Sequence, residues 1–265
     1  TAPYTYKWSN GATTQNVASL AKGDYWVQVT DANGNVANNK FTILGDADPS
    51  IVTAGLRMDS YFTDSALEFP ALGSAEFNGT SDYIQLNDPF GHTTHTIAAW
   101  CYVDNDANQK YIFDNRDATD DGIILGFSNI ETFYYSVNTA DRITTDTFAN
   151  EWVFITGTYD GTTQKLYING SIDGTNTTSQ TISNTTDARI GAQSFSLGNY
   201  FNGNLANVAI WNRALHSDEI NAIMWKSYGD LNAVDKNGLQ AWYALDDING
   251  TTVPDSTGAN NGTAN

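Results

Sequence analysis

The sequence predicts an all-β protein, an antiparallel two-sheet sandwich carrying one short helix. Turn formers dominate: the 265 residues include 22 Gly, and of 30 acidic residues only Glu68, Glu76, Glu131, Glu151 and Glu219 are glutamates. Asp with Gly, Asn, Thr and Ser favours turns and strand ends, whereas Glu and Lys favour helices. Short apolar or alternating runs recur with about ten residues between turn signals, the spacing of an antiparallel sandwich. Hydrophobic residues make up 40% and aromatics 12%, which is enough to build a core and argues against disorder.

Charge narrows the partners. Twelve Lys and Arg against 30 Asp and Glu leave a net charge of −18, and nucleic-acid binding needs cations that neutralise phosphates. Nucleic acid is therefore not an expected partner. No apolar run approaches the ~20 residues of a membrane span. The single cysteine, Cys101, excludes an internal disulfide and reads as a buried structural thiol within the apolar run Ile97–Val103. No Met and no charged-then-apolar signal segment opens the chain, so it is expected to be a processed piece of something longer.

From Thr1 to about Leu44 the chain reads as short strands and turns. Tyr4–Trp8 alternates, Ser9-Asn10-Gly11 turns, and Tyr25–Thr30 runs into Asp31-Ala32-Asn33-Gly34 before a last strand at Lys40–Leu44. Pro3-Tyr4-Thr5-Tyr6-Lys7-Trp8-Ser9-Asn10-Gly11 with Gly23-Asp24-Tyr25-Trp26-Val27-Gln28-Val29-Thr30-Asp31-Ala32-Asn33-Gly34 resembles the immunoglobulin-like repeats of Bacteroidetes gliding-motility adhesins. That resemblance implies tandem arrays on a cell surface, although those repeats carry Cys where this chain has Asn35. The segment is shorter than a full sandwich of ~100 residues and is expected to be completed by upstream residues. The predicted organisation is a partial repeat over 1–45, a linker over 46–73 and the sandwich over 74–265.

In the sandwich, strands are expected at Ala75–Phe77, Tyr83–Leu86, Thr96–Val103, Lys110–Phe113, Ile123–Phe127 and Thr132–Val137. Further strands follow at Trp152–Tyr159, Lys165–Ile168, Ala188–Gly191 and Leu205–Trp211. Trp100, Phe154, Tyr167 and Trp211 read as core residues. One helix interrupts the series: Ser217 as N-cap, Asp218 and Glu219 at its positive end, and an apolar stripe of Ile220, Ile223 and Met224, packed on the sandwich rim.

Six landmarks then appear in order: Phe77-Asn78-Gly79-Thr80-Ser81-Asp82-Tyr83-Ile84, Thr96–Trp100, Trp152–Gly161, Leu166-Tyr167-Ile168-Asn169-Gly170, Ile190-Gly191-Ala192 and Phe201–Leu215. Over about Ser74–Trp225 the chain resembles the laminin G-like, concanavalin A-like jelly rolls of bacterial and phage surface proteins. The resemblance implies a jelly-roll topology, calcium, and binding of glycans or proteins through loops or a concave face. Gly238–Asp247 and Thr251–Thr263 look like the opening of a domain of the same family. Either this tail closes the present sandwich, with a strand at Leu239–Leu245, or it begins a second module.

Candidate ligand-binding residues are Tyr134 and Tyr135, since adjacent strand residues point to opposite faces and one ring would leave the core to stack on a sugar, together with Asp120 and Asp121. By resemblance, calcium ligands are Asp82, Asp255 and Asn260; the alternative is that these side chains only close Asx-turns. Relatives carry an Asp within Gly-x-Ile-Asp-Glu-Val where this chain reads Ala206-Asn207-Val208, so that calcium position is altered. No Glu-x-Asp-x-x-Glu run exists for glycoside hydrolysis, and His92, His95 and His216 lack zinc-ligand spacing. No Gly-x-Ser-x-Gly elbow is present either. The expected function is a non-catalytic adhesion or carbohydrate-binding module of a larger secreted surface protein, with a glycan or surface protein as partner. A phage or filament structural subunit and a concanavalin-like glycoside hydrolase are the alternatives.

Overall fold

The computed structural model describes residues 3–17, 20, 23–43, 73–88, 90–103, 110–128, 132–138, 143–145, 151–182, 188–246, 248 and 250–265. The chain divides into two compact units, Thr1–Phe69 and Pro70–Asn265. Residues 46–72 of the expected linker lie outside the described residues.

In the first unit β1 (Thr5–Trp8), β2 (Gly23–Thr30) and β3 (Val36–Ile43) form an antiparallel meander. Trp26, Val27 and Val29 are buried. The Asp31 carboxylate accepts hydrogen bonds from the backbone N–H groups of Asn33 (2.8 Å) and Asn35 (2.9 Å) and from Asn35 Nδ2 (3.1 Å). Asn35, standing where the resembling repeats carry Cys, thus helps close the turn into β3.

The second unit is a two-sheet sandwich. Its strands begin with β4 (Ala75–Asn78), β5 (Ile84–Leu86), β6 (His95–Val103), β7 (Lys110–Asp114), β8 (Ile123–Phe127), β9 (Phe133–Val137) and β10 (Ile143–Thr145). They continue with β11 (Trp152–Tyr159), β12 (Thr163–Ile168), β13 (Ser171–Thr177), β14 (Ala188–Ile190) and β15 (Asn202–Trp211). After the helix α1 (Ser217–Ile223) come β16 (Leu239–Tyr243), β17 (Thr252–Val253) and β18 (Gly262–Ala264). Among the described residues one sheet has eight strands in the order β10-β9-β8-β7-β14-β5-β18-β17. The other has seven, in the order β13-β12-β11-β6-β15-β16 with β4 pairing β15. β16 pairs with β15 in one sheet and β18 with β5 in the other, so the C-terminal segment is built into both.

Alternation explains the core. Ile97, Ala99, Cys101 and Val103 of β6 and Val153, Ile155 and Tyr159 of β11 pack with Phe113, Leu125, Phe133, Tyr135 and Ile190 of the other sheet. Burial pushes the Cys101 thiol well above its ordinary pKa, consistent with a structural role. Trp100, Phe154, Tyr167 and Trp211 are buried as expected, but they sit outside the cluster between the sheets, on the other face of the seven-stranded sheet. Trp100 Nε1 donates to the Met224 carbonyl (2.9 Å) and its ring lies 4.8 Å from Trp225 and 5.4 Å from Phe154. Trp211 Nε1 donates to the Asp235 carbonyl (2.9 Å). α1 therefore covers this face near Trp100 and not the rim, because the large rings there need an apolar cover. Its Ile220 and Ile223 are buried. The N-cap is His216, one residue before the expected Ser217, with the His216 N–H donating to Glu219 Oε2 (2.9 Å).

At Gly157 an added Cβ would overlap the ring of Tyr135, which reaches across from the other sheet. Gly157→Ala should therefore overpack the core and cost on the order of 1–3 kcal/mol, read as a lowered denaturant midpoint. Gly198→Ala, whose Cβ would meet only Gln193 Oε1 at 3.9 Å, should leave the midpoint nearly unchanged. Equal midpoints for both variants would contradict this packing.

Candidate functional site

The pairing registers lay a row of side chains across the eight-stranded sheet. Thr252 lies opposite Thr263, Thr263 opposite Gln85, Gln85 opposite Arg189, and Arg189 opposite Asp114. Asp114 then faces Ile124, and Ile124 faces Ser136. Their chain neighbours Ile84, Leu86, Ile190, Phe113, Leu125 and Val137 fill the core, so by alternation this row points outward. Exposure falls along it: Thr252 and Thr263 are exposed, Gln85 and Arg189 half-buried, and Asp114, Ile124 and Ser136 buried.

The buried half is covered by two loops. Asp114 receives Arg116 through Nε (3.1 Å), Nη2 (3.0 Å) and the backbone N–H (2.9 Å). The loop between β14 and β15 folds onto this pair. Ser194 N–H donates to Asp114 Oδ2 (3.3 Å), and the Ser194 hydroxyl donates to the Arg116 carbonyl. The guanidinium lies 5.2 Å from the Tyr111 ring centre and 5.5 Å from that of Phe195. Burial opposes its charge, and the Asp114 carboxylate outweighs that, holding Arg116 above the ordinary arginine pKa.

The open half carries Tyr83, Gln85, Arg189 and Tyr200, all half-buried. Arg189 stacks 5.1 Å from the Tyr83 ring centre, donates from Nε to Gln85 Oε1 (2.9 Å) and from Nη1 to the Gln193 carbonyl (2.6 Å). Tyr83 and Tyr200 have ring centres 6.4 Å apart at 42°. Tyr200 is held by the loop that covers Arg116. That loop is tied down by Tyr111 N–H to the Asn199 carbonyl (3.1 Å), Lys110 Nζ to the Tyr200 carbonyl (3.3 Å), and Asn199 Nδ2 to Gln193 Oε1 (3.0 Å). The result is a pair of rings beside fixed polar groups on a rigid sheet.

The expected ligand residues lie elsewhere. Tyr134 and Tyr135 do point to opposite faces, but neither is exposed. Tyr135 is in the sandwich core; Tyr134 packs edge-on against Tyr111 (6.3 Å, 80°) in the buried half of the outer face. The expectation failed because the outer face is itself covered there. Asp120, with φ 66°, accepts Arg116 Nη1 (2.6 Å). Asp121 donates its N–H to Asp117 Oδ1 (3.2 Å) within the same turn. Both shape the loop that borders the covered half.

At the expected calcium positions the carboxylate oxygens are engaged by protein donors. Asp255 Oδ1 accepts the N–H groups of Trp242 (2.8 Å) and Thr257 (3.0 Å), and Oδ2 accepts the Thr257 hydroxyl (2.5 Å) and the Asn260 N–H (3.0 Å). Both oxygens are thus committed to protein donors. Asn260 Nδ2 donates to the Gln240 carbonyl (3.1 Å), and the Asn260 carbonyl accepts the Tyr243 hydroxyl (2.6 Å). Asp82 accepts the Asn78 N–H (3.1 Å), Asn78 Nδ2 (2.8 Å) and the Ser81 hydroxyl (3.1 Å). These three residues close turns, and among the described residues no group of three His, Cys, Asp or Glu side chains is placed to hold a metal.

A family model for the concanavalin A-like lectin/glucanases superfamily matches residues 78–221, more than half of the chain, and the chain belongs to that superfamily. No curated protein matches it in sequence. Among solved structures, a candidate carbohydrate-binding protein from Bacteroides ovatus is similar with a TM-score of 0.63 and 19% identity, over 93% of this chain and 68% of that one. The IT-sialidase module CBM40 of Ruminococcus gnavus, solved with α2,3-sialyllactose, matches with a TM-score of 0.45 and 14% identity, over 58% and 99% of the two chains. The SAP-like pentraxin of Limulus polyphemus matches with a TM-score of 0.45 and 18% identity, over 56% and 80%. The likeness to the Bacteroides protein shows a shared fold.

In the core beneath the covered half, Tyr135 is held by a histidine. His95 Nδ1 lies 2.9 Å from the His92 carbonyl, which only accepts, so Nδ1 carries the proton. Nε2 therefore accepts from the Tyr135 hydroxyl at 2.6 Å. Complete burial holds His95 neutral and pushes its pKa down from 6.5 to about 4. Between these values the unfolded chain binds a proton that the folded one refuses, so stability present at pH 7 is lost as the pH falls from 6.5 towards 4. The slope is about 1.4 kcal/mol per pH unit at most. Denaturant midpoints measured from pH 7 to 4.5 should fall more steeply for the unaltered protein than for His95→Gln; parallel curves would contradict this assignment.

Proposed function

We propose that the chain is a non-catalytic carbohydrate-binding module of an extracellular bacterial surface protein, with its glycan held on the open half of the eight-stranded sheet. The observation that carries this reading is the Tyr83–Tyr200 pair beside Gln85 and Arg189. Aromatic rings offer apolar faces to the C–H face of a pyranose, and a few fixed polar groups orient it. Membership of a superfamily that includes lectins supports the reading, as does the fold shared with the Bacteroides ovatus protein. Glycoside hydrolysis would need two carboxylates about 5–10 Å apart. In the outward row the carboxylate is Asp114, and it is buried and tied to Arg116. A net charge of −18 suits a solvated surface, and the adhesin-like first segment suits display beside neighbouring modules. No helix of the described residues is long and apolar enough to cross a membrane.

Binding to a panel of immobilised polysaccharides tests this. Tyr83→Ala and Tyr200→Ala should each weaken retention roughly 3- to 10-fold with little change in melting temperature. Ile172→Ala, exposed on β13 of the opposite sheet, should bind as the unaltered protein does. Absence of glycan binding, or equal binding by all three variants, would overturn the reading.

A further inference from the structure

We infer that Arg189 anchors a carboxylate-bearing sugar, so that the ligand is an acidic polysaccharide containing hexuronate units; this rests on the carbohydrate reading above. Three arginines are described in side-chain detail, and two are neutralised. Arg116 is paired with Asp114 (3.0 Å) and Asp120 (2.6 Å), and Arg213 with Glu219 (2.7 Å). Among the described residues Arg189 has only neutral partners: Gln85 Oε1, the Gln193 carbonyl and the Tyr83 ring. The carboxylate directly across the strand pair, Asp114, turns to Arg116 and to the Ser194 N–H instead.

An arginine that meets no carboxylate among the described residues is unexpected in a chain with 30 acidic and 12 basic residues. Its guanidinium is nevertheless held on one face by Tyr83, through Nε by Gln85 and through Nη1 by Gln193. Among the described residues Nη2 has no acceptor. A guanidinium held through Nε and Nη1 still presents the N–H bonds of Nη2 to a carboxylate oxygen, and fixing it beforehand reduces the ordering cost of binding. Tyr83 and Tyr200 are placed to pack against the ring that carries the carboxylate. The repulsion of a polyanion by the net charge is screened beyond about 8 Å at physiological salt, so recognition is decided at contact.

Calorimetry of the full chain decides this with three oligosaccharides of equal length: a polyuronate, the same polyuronate with its carboxyls reduced to alcohols, and a sulfated neutral glycan. The polyuronate should bind at least 10-fold more tightly than its reduced form, and Arg189→Lys and Arg189→Gln should bring it close to the reduced form's affinity. Equal affinity for the acidic and reduced sugars overturns the inference, as does a preference for the sulfated glycan. Equal loss of both uronate and reduced-sugar binding in the Arg189 variants also overturns it, since that would mean Arg189 only positions Tyr83. If neutral sugars bind and Tyr83→Ala abolishes that binding, the carbohydrate function stands while the acidic specificity fails; if no sugar binds, both fail. Should an Arg189 variant not fold, the comparison of the acidic and reduced sugars on the unaltered protein still decides.

Discussion

The alternation of inward and outward side chains along β5, β14, β7, β8 and β9 is the constraint on which the site depends. Because Ile84, Ile190, Phe113, Leu125 and Tyr135 must face the other sheet, slipping any of these strands by one residue would bury polar groups and expose apolar ones. The core thus fixes the register, and the register fixes the outward row from Thr252 to Ser136. The site inherits its rigidity from the packing beneath it.

The buried Asp114–Arg116 pair divides this face. Taking two charges out of water is costly, and removing one partner of such a pair commonly costs about 3–5 kcal/mol because the other is left uncompensated. Here the pair organises two loops at once. It stiffens the turn after β7 and docks the β14–β15 loop through Ser194. The same loop then carries Tyr200 to Tyr83. One half of the sheet is covered by this arrangement, and the other half gains a second aromatic ring from it.

Much of the fold was legible in the sequence, because long apolar strands such as Ile97–Val103 and Trp152–Tyr159 announce themselves by composition and period. β13 was not, since Ser171-Ile172-Asp173-Gly174 reads as turn sequence and forms a strand only by pairing with β12. The site was less legible. The Tyr134–Tyr135 pair was rightly seen to straddle the sheet, but its outer ring is buried beside Tyr111 and Ile124, a covering that strand alternation does not reveal. The alternation of Tyr83-Ile84-Gln85-Leu86, with Ile84 and Leu86 inward, held the signal for an outward Tyr83 and Gln85. Tyr200 carried no comparable signal, because its direction is set by Lys110, Asn199 and Gln193. Asp255 was assigned to calcium by resemblance; the turn it closes uses both of its oxygens.

The central claim is that one half of one sheet face is the recognition surface. Amide and side-chain NMR shifts recorded during titration with a uronate oligosaccharide test it directly. The account requires the perturbed resonances to cluster at Tyr83, Gln85, Arg189, Tyr200 and Thr263, while those of Tyr134 and of the Trp100–Met224 region under α1 stay in place. Perturbations centred on the α1 face, or on the rim around Asp255, would contradict it.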